Sequence, residues 1–332
     1  MKTFKFCFVA LAATVLFYAC SNEEAIRPIN DEAQAISFRL QGGTPEITTR
    51  ATATTAPYVD AFVVYGIDDV ATTNLFNGET VARQVSGNFD YNPKRYYNGG
   101  ATSAGFIAYS PASANITTSS VPDPLTSTAS FTYTVKAPDG TATGETIQED
   151  FLIANTTVTP SSSAVSLAFQ HALSRIFVKA TNAMKETVVI TGLQLLNLKE
   201  TGTVTATPTT WSWTGQTGTA DYVYKIADAG VAVIAELTTA TLVTSIEQGM
   251  MVLPQTIVNA SNDHTLGDFA LEVTYDVANL TGQKAYVYIT AGSTFVAGSQ
   301  YAITINFSGS DLIKIDFTIS VTPFGSTIIN AL

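Results

Sequence analysis

Residues 313–322 read Ile313-Lys314-Ile315-Asp316-Phe317-Thr318-Ile319-Ser320-Val321-Thr322. Apolar and polar residues alternate here without exception. Successive residues of a β-strand point to opposite faces, so a period of two predicts a strand with one buried and one exposed face. The apolar face consists of Ile313, Ile315, Phe317, Ile319 and Val321. Pro323 lacks the N–H that would extend the ladder, so we expect the strand to stop there.

Runs rich in β-branched and aromatic residues recur along the whole chain. They are separated by turns containing Asn, Thr and Gly, the pattern typical of β-strands. The predicted strands cover residues 36–40, 61–67, 88–97, 105–109, 130–135, 150–154, 188–198, 203–214, 222–226, 231–237, 250–253, 269–277, 285–290 and 301–307. Residues 165–180 fit a helical spacing as well, but alternation favours a strand interrupted by a bulge near Ser174.

Many short strands without a convincing helix predict an all-β protein. A length of 332 residues allows about two domains. We therefore expect two tandem antiparallel β-sandwich domains joined near residues 181–186, the first covering residues 51–183 and the second residues 184–332.

Composition limits the functional classes. Charged residues make up 13% of the chain, against about 25% in an average soluble domain, which excludes a disordered tail protein. The formal net charge is −11. Without an excess of basic residues the chain has no means of neutralising phosphates, so nucleic acid is not an expected partner.

The N-terminus has the features of a secretory signal. Lys2 and Lys5 precede an apolar stretch that ends at Ala19, which predicts a signal peptide over residues 1–19. Cys20 follows directly and resembles the lipidated cysteine of bacterial lipoproteins; ordinary secretory cleavage that leaves Cys20 free is the alternative. Because removal of the signal leaves a net charge of 14 − 27 = −13, attachment to an anionic membrane surface would depend on the lipid.

The residues that carry chemistry in enzymes are sparse. The two histidines, His171 and His264, lie far apart and have no metal-ligand spacing around them, so we expect no metal, no cofactor and no catalytic residues. His171 shares a strand parity with apolar neighbours, which indicates a packed histidine with one hydrogen bond. Trp211 and Trp213 share one strand face and are either a platform for a sugar ring or part of the core.

Six short stretches, taken together and in this order, resemble the fimbrillin family of type V pilus subunits of Bacteroidia. Besides Cys20 and the Arg50-Ala51 junction, they lie at residues 105–111, 169–173, 250–255 and 295–301. The resemblance implies transthyretin-like sandwich domains and a palmitate-type lipid anchor in the outer membrane. It also implies cleavage by an Arg-specific protease and polymerisation by strand exchange with other pilus subunits. It leaves open a stalk, tip or anchor role.

In this interpretation residues 20–50 form a lipidated prosegment. Its strand would cover an apolar groove with Ile36, Phe38 and Leu40, and cleavage between Arg50 and Ala51 would release it. The strand at residues 313–321 of an incoming subunit would then take its place. We expect a structural or accessory subunit of a cell-surface fimbrium that supports adhesion. The alternatives are a surface glycan-binding lipoprotein and an uncleaved membrane anchor of the fibre.

Overall fold

The structure, a computed structural model, describes residues 34–41, 59–112, 116–120, 123–138, 148–244, 249–308 and 315–323. Among the predicted site residues, Cys20, Arg50, Ala51 and Ile313 lie outside these ranges. Within them, regular structure consists of β-strands and one 3-10 turn at His264–Leu266. The expectation of an all-β chain is confirmed. No helix in the described ranges is long and apolar enough to cross a bilayer.

The strands follow one another along the whole described chain. In order they are β1 (Phe38–Leu40), β2 (Ala61–Asp68), β3 (Phe76–Arg83), β4 (Phe89–Asp90), β5 (Ala104–Ser110), β6 (Ile116–Ser120), β7 (Ala129–Thr134), β8 (Leu152–Val158), β9 (Val165–Leu167), β10 (Gln170–His171), β11 (Ser174–Asn182), β12 (Val188–Leu198), β13 (Thr201–Ala206), β14 (Trp211–Thr217), β15 (Ala220–Tyr224), β16 (Val231–Val233), β17 (Leu237–Leu242), β18 (Met250–Val252), β19 (Gln255–Thr256), β20 (Ala270–Val277), β21 (Leu280–Val287), β22 (Thr294–Phe295), β23 (Ser299–Phe307) and β24 (Ile315–Pro323).

A six-stranded antiparallel sheet in the order β10-β8-β5-β2-β3-β4 lies at the centre of the first half of the chain. Strand β5 is buried at every position and β2 at all but its first residue, so both faces of this sheet are covered. Tyr65 and Ile107 on one face belong to the same core cluster as Phe131 of β7. Phe62 and Phe106 on the other face pack in a second cluster with residues of the β1-β9 ribbon.

A four-stranded sheet in the order β14-β13-β7-β6 combines strands from both sides of the predicted boundary at residues 183–184. Phe131 of β7 is opposite Val204 of β13 in this sheet. Strand β11, which precedes the boundary, pairs with β17, β18 and β23, which follow it. The division into two sandwich domains stays a prediction, and the hydrogen-bonded ladders cross it.

Within the described ranges, the second half of the chain forms two further large sheets and the short β19-β22 pair. One has the order β17-β11-β23-β24 with β18 beside β11, and the other has the order β15-β12-β20-β21 with β16 beside β12. Ile176 and Ile303 of the first sheet share a core cluster with Ile190 and Val273 of the second. Two strand pairs, β1-β9 and β11-β23, are parallel, whereas the sequence predicted only antiparallel pairing.

Several strand boundaries differ from the predicted ones. Residues 165–180 are strand rather than helix, as expected, but they form β9, β10 and β11 in three different sheets instead of one bulged strand. Residues 203–214 are split by a turn between β13 and β14. Strand β3 was not predicted, because its sequence Phe-Asn-Gly-Glu-Thr-Val-Ala-Arg contains few large apolar residues.

The terminal strand is confirmed over Ile315–Pro323, where β24 pairs antiparallel with β23 along nine residues. The register places Phe317 opposite Ile305 and Ile319 opposite Ile303, and both residues of β23 are fully buried. Strand β24 is the last strand of its sheet in the described ranges.

Candidate functional site

The short strand β1 enters the core through the alternate residues that the sequence predicted. Ile36 and Phe38 are 4% and 5% exposed, whereas Arg39 is exposed and Leu40 is half-buried. A three-residue strand forms few ladder hydrogen bonds, so burial of Ile36 and Phe38 supplies much of the stabilisation of this segment. Strand β1 therefore behaves as an inserted segment of the core.

The side chain of Phe38 occupies an aromatic pocket. Its ring centroid lies 5.6, 5.3, 6.0 and 5.7 Å from those of Phe62, Phe76, Tyr91 and Phe106, and all four contacts are edge-to-face. This arrangement directs the positive ring edges to the negative ring faces, which aromatic pairs prefer to a face-to-face stack. The pocket is therefore shaped for a ring.

One edge of β1 pairs with β9 in parallel. Phe38 is opposite Val165, and the N–H of Val165 donates to the carbonyl of Ser37 at 2.8 Å. Farther along, the N–H of Gln41 donates to the carbonyl of Leu167 at 2.9 Å. These bonds use only main-chain atoms of the residues on either side of β1, so any strand in the same register would make them.

The other edge of β1 meets the loop that follows β4. The N–H of Ile36 donates to the carbonyl of Arg95 at 2.9 Å, and the hydroxyl of Tyr91 donates to the carbonyl of Ile36 at 2.5 Å. Arg95 in turn is held by Glu79, with Nη2 and Oε1 2.7 Å apart, and Lys94 lies 5.0 Å from the centre of the Tyr91 ring. The segment is therefore hydrogen-bonded along both of its edges.

Loss of β1 would uncover a groove with two chemical properties. The rings of Phe62, Phe76 and Phe106 would be exposed on one face of the central sheet. The edge of β9 and the Arg95 carbonyl would lose their main-chain partners. Exposed apolar surface beside an unpaired strand edge promotes addition of another strand.

The fimbrillin-like family matches residues 49–321 of this sequence. The chain belongs to the fimbrillin-like family. Strand β1 precedes the matched range, whereas the pocket that receives it lies inside. No curated protein is significantly similar to the chain. Membership in this family indicates a structural subunit of the pilus class rather than an enzyme.

Solved structures share the fold of this fimbrillin-like chain at low sequence identity. A fimbrial protein from Bacteroides vulgatus matches with a TM-score of 0.57 and 15% identity, covering 80% of this chain and 92% of its own. A protein from Bacteroides uniformis named for cell adhesion matches with a TM-score of 0.51 and 20% identity, covering 90% and 100%. A third, from Bacteroides ovatus and named likewise, has a TM-score of 0.51 and 14% identity, covering 88% and 98%.

The predicted donor residues Ile315, Phe317, Ile319 and Val321 do not lie at this groove. They belong to β24, which pairs with β23 in its own chain. The structure thus describes the arrangement in which β1 and β24 are each paired within one chain.

The two tryptophans of the fimbrillin-like chain pack against the core. Trp213 donates from Nε1 to the carbonyl of Ala172 at 2.6 Å, and its ring contacts Phe151 edge-on at 5.9 Å. Trp211 donates from Nε1 to Oε1 of Gln170 at 3.0 Å. Both indole N–H groups are therefore bonded within the chain, and both residues are half-buried against the core. The sugar platform stays a prediction, since stacking on a sugar would use the ring faces.

His171 is a packed histidine, as predicted. It is 6% exposed, and its Nδ1 lies 2.5 Å from Oδ2 of Asp150, whose side chain is 1% exposed. The sequence did not reveal this partner, because the pairing of β10 with β8 brings the two residues together over a separation of 21 positions. Within the described ranges, no three His, Cys, Asp or Glu residues are placed to hold a metal ion.

The adjacent acids Asp68 and Asp69 serve different parts of one loop. Asp68 accepts from the backbone of Ala71 and Asn98, and Asp69 accepts from the N–H and hydroxyl of Thr102. The Thr102 hydrogen bonds keep the pKa of Asp69 below its ordinary value. The two carboxylates therefore fix a turn and do not form an acid–base pair.

Sequence reasoning missed the residues that form the groove. Phe62, Phe76 and Phe106 come from three different strands, and Tyr91 with Arg95 comes from a loop that the sequence predicted as strand. Tyr97 is half-buried, with its ring centroid 6.4 Å from that of Phe106 in an edge-to-face contact, and this burial raises the pKa of Tyr97 to about 12.

Proposed function

We propose that this chain is a pilus subunit made as a lipidated precursor, in which β1 temporarily fills the groove that a neighbouring subunit later occupies. The supporting observation is the Phe38 ring, which is 5% exposed among four core rings although it belongs to a strand of only three residues. Phe38 belongs to the core, but its strand lies before residues 49–321, which match the family. This placement is what removal of the segment by proteolysis requires.

The energetics favour a plug that holds only while attached. A fully buried large apolar side chain contributes about 1.5–3 kcal/mol, so Ile36 and Phe38 together contribute about 3–6 kcal/mol before ordering costs. While β1 stays covalently attached to the rest of the chain, its effective concentration at the groove is high, on the order of millimolar. Cleavage after Arg50 would abolish this advantage and let the segment diffuse away.

The replacing strand in this proposal is residues 313–321 of the next subunit, with five apolar residues in place of three. Strand β24 is paired with β23 along nine residues in the single chain, so donation requires that ladder to open. Because β24 is the last strand of its sheet in the described ranges, donation would break only the β23-β24 ladder. Strand exchange is therefore expected to be slow and to follow release of β1.

Lipidation at Cys20 would hold the precursor at the outer membrane, with the Arg-specific protease and other subunits as partners. The stalk and tip versions of the proposal require cleavage. A membrane anchor would keep β1 in place and terminate the fibre. Susceptibility to cleavage thus separates these roles.

The test treats the purified precursor with an Arg-specific protease. We expect a new N-terminus at Ala51, a released fragment that contains β1, and a ladder of detergent-resistant multimers. Arg50→Gln should prevent all three, whereas Arg39→Gln is the matched control because cleavage at Arg39 would divide β1 itself. A chain that stays monomeric after confirmed cleavage at Arg50 and loss of the fragment would refute polymerisation by this route.

A further inference from the structure

The first strand and the terminal strand of this chain share one sequence pattern. Residues 36–40 read Ile-Ser-Phe-Arg-Leu and residues 315–319 read Ile-Asp-Phe-Thr-Ile. The chain has 18 Phe residues. Only Phe38 and Phe317 have Ile two positions before them and an aliphatic residue two positions after them. The two segments therefore present the same three apolar shapes at the same spacing.

We infer that Phe317 of a second copy takes the place of Phe38 in the aromatic pocket, which sets the register of the exchanged strand. Ile315 then replaces Ile36 and Ile319 replaces Leu40. This inference rests on the strand exchange proposed above and names the residues that specify it.

The groove discriminates between registers through side chains, since its main-chain bonds fit any strand. A shift by one residue would place Asp316 or Thr318 among four rings, an apolar surface whose one hydroxyl, that of Tyr91, is bonded to the main chain at position 36. A shift by two residues would place Ile in the pocket made for a ring. One such shift also puts Phe317 at the site of Ile36, which is 4% exposed and is filled by a smaller side chain.

The longer apolar face of the terminal strand adds to this register without changing it. Ile313 and Val321 would fall at the positions of Gln34 and Gly42, which provide no large apolar side chain. The central pattern thus determines the register, and the flanking pair makes the exchanged strand more apolar than β1. Both features favour the second copy over the released segment.

The mature chain offers a clean background for testing this register, because both cysteines of the sequence, Cys7 and Cys20, precede Ala51. In β1, exposed Arg39 is opposite Ser166 of β9. The inferred register places Thr318 there. The test mixes the cleaved Ser166→Cys chain with peptides of residues 313–323, each of which carries one cysteine at position 316, 318 or 320. Arg39→Cys with Ser166→Cys in an uncleaved Cys20→Ser chain shows that this position forms a disulfide.

We expect a disulfide with the peptide modified at 318 and at least about tenfold less with those modified at 316 and 320, since neighbouring strands lie about 4.8 Å apart and other positions are beyond disulfide reach. Phe317→Ala in the 318 peptide should reduce capture by about 100-fold, whereas Asp316→Ala should leave it unchanged. Stronger capture at 316 or 320, or no capture at 318 once the β1 fragment is removed, would overturn the inference. Capture at position 318 without multimers of the full chain would support the register and refute polymerisation. Multimers without capture at position 318 would support polymerisation and refute the register.

Discussion

Phe38→Ala should release β1 from the groove of the intact precursor. The side chain is 5% exposed and contacts four rings, so truncation removes nearly all of its burial together with edge-to-face contacts worth about 0.5–1.5 kcal/mol each. Phe→Ala substitutions in cores cost about 3–5 kcal/mol. The pocket cannot collapse fully, since the backbone of β1 is bonded on both edges.

This loss is expected mainly as local opening. Strand β1 makes few main-chain bonds, so it can leave while the central sheet stays folded. A change of about 3 kcal/mol raises the open population by about 100-fold, at tenfold per 1.4 kcal/mol. Arg39 lies inside β1, and a protease reaches its peptide bond only when the strand is open.

The assay measures the rate of Arg-specific cleavage at Arg39 in an Arg50→Gln chain, with and without Phe38→Ala. Each rate is divided by the cleavage rate of an isolated peptide of residues 34–41 that has the same residues at positions 37 and 38. The ratio should rise by about 100-fold for Phe38→Ala. Ser37→Ala is the matched control, since this half-buried neighbour contributes only its main-chain carbonyl to the described bonds and should change the ratio by less than about threefold. A Phe38→Ala ratio within threefold of the parent would refute the aromatic pocket as the device that holds β1.

Three further predictions concern other parts of the chain. Backbone hydrogen bonds to the carboxylate lower the pKa of Asp268 from 3.8 to about 2. The ionised carboxylate therefore stabilises the fold above pH 4, and this stabilisation is lost as the pH falls through 2. Asp268→Asn should flatten the decrease of the thermal midpoint between pH 4 and pH 2, and an unchanged slope would contradict this role of Asp268. Gly105→Ala would place Cβ 2.5 Å from Cα of Leu125 and should lower the free energy of unfolding in urea by about 1–3 kcal/mol. Cys20→Ser should move the protein from the detergent phase to the aqueous phase after partition, whereas a lipid-free parent would already be aqueous.

Local sequence patterns predicted the faces of individual strands well. The alternation at residues 36–40 predicted that Ile36 and Phe38 are buried and Arg39 exposed, as the structure shows. The stricter alternation near the C-terminus predicted β24 and its end at Pro323. These predictions succeed because the direction of a side chain from a strand depends only on the parity of its position.

Partners and breaks were predicted less well. Residues 165–180 carry a single parity pattern over most of their length, yet they are divided among three sheets. The parallel pairing of β1 with β9 joins residues more than 120 positions apart, and nothing in either segment specifies it. Any strand offers the same main-chain donors and acceptors, so the partner is selected by the packing of distant side chains and not by the segment itself.

The sequence by itself determined that this chain is all-β, that a short Ile-x-Phe-x-Leu strand precedes the basic site at Arg50, and that the same apolar pattern returns at residues 315–319. Only the tertiary structure decided that Phe38 has a ring-shaped pocket, because Phe62, Phe76 and Phe106 meet there from three strands and Tyr91 closes it from a loop. Spacing along a chain specifies which side chains share a face. The cavity that receives them exists only after non-neighbouring strands have paired.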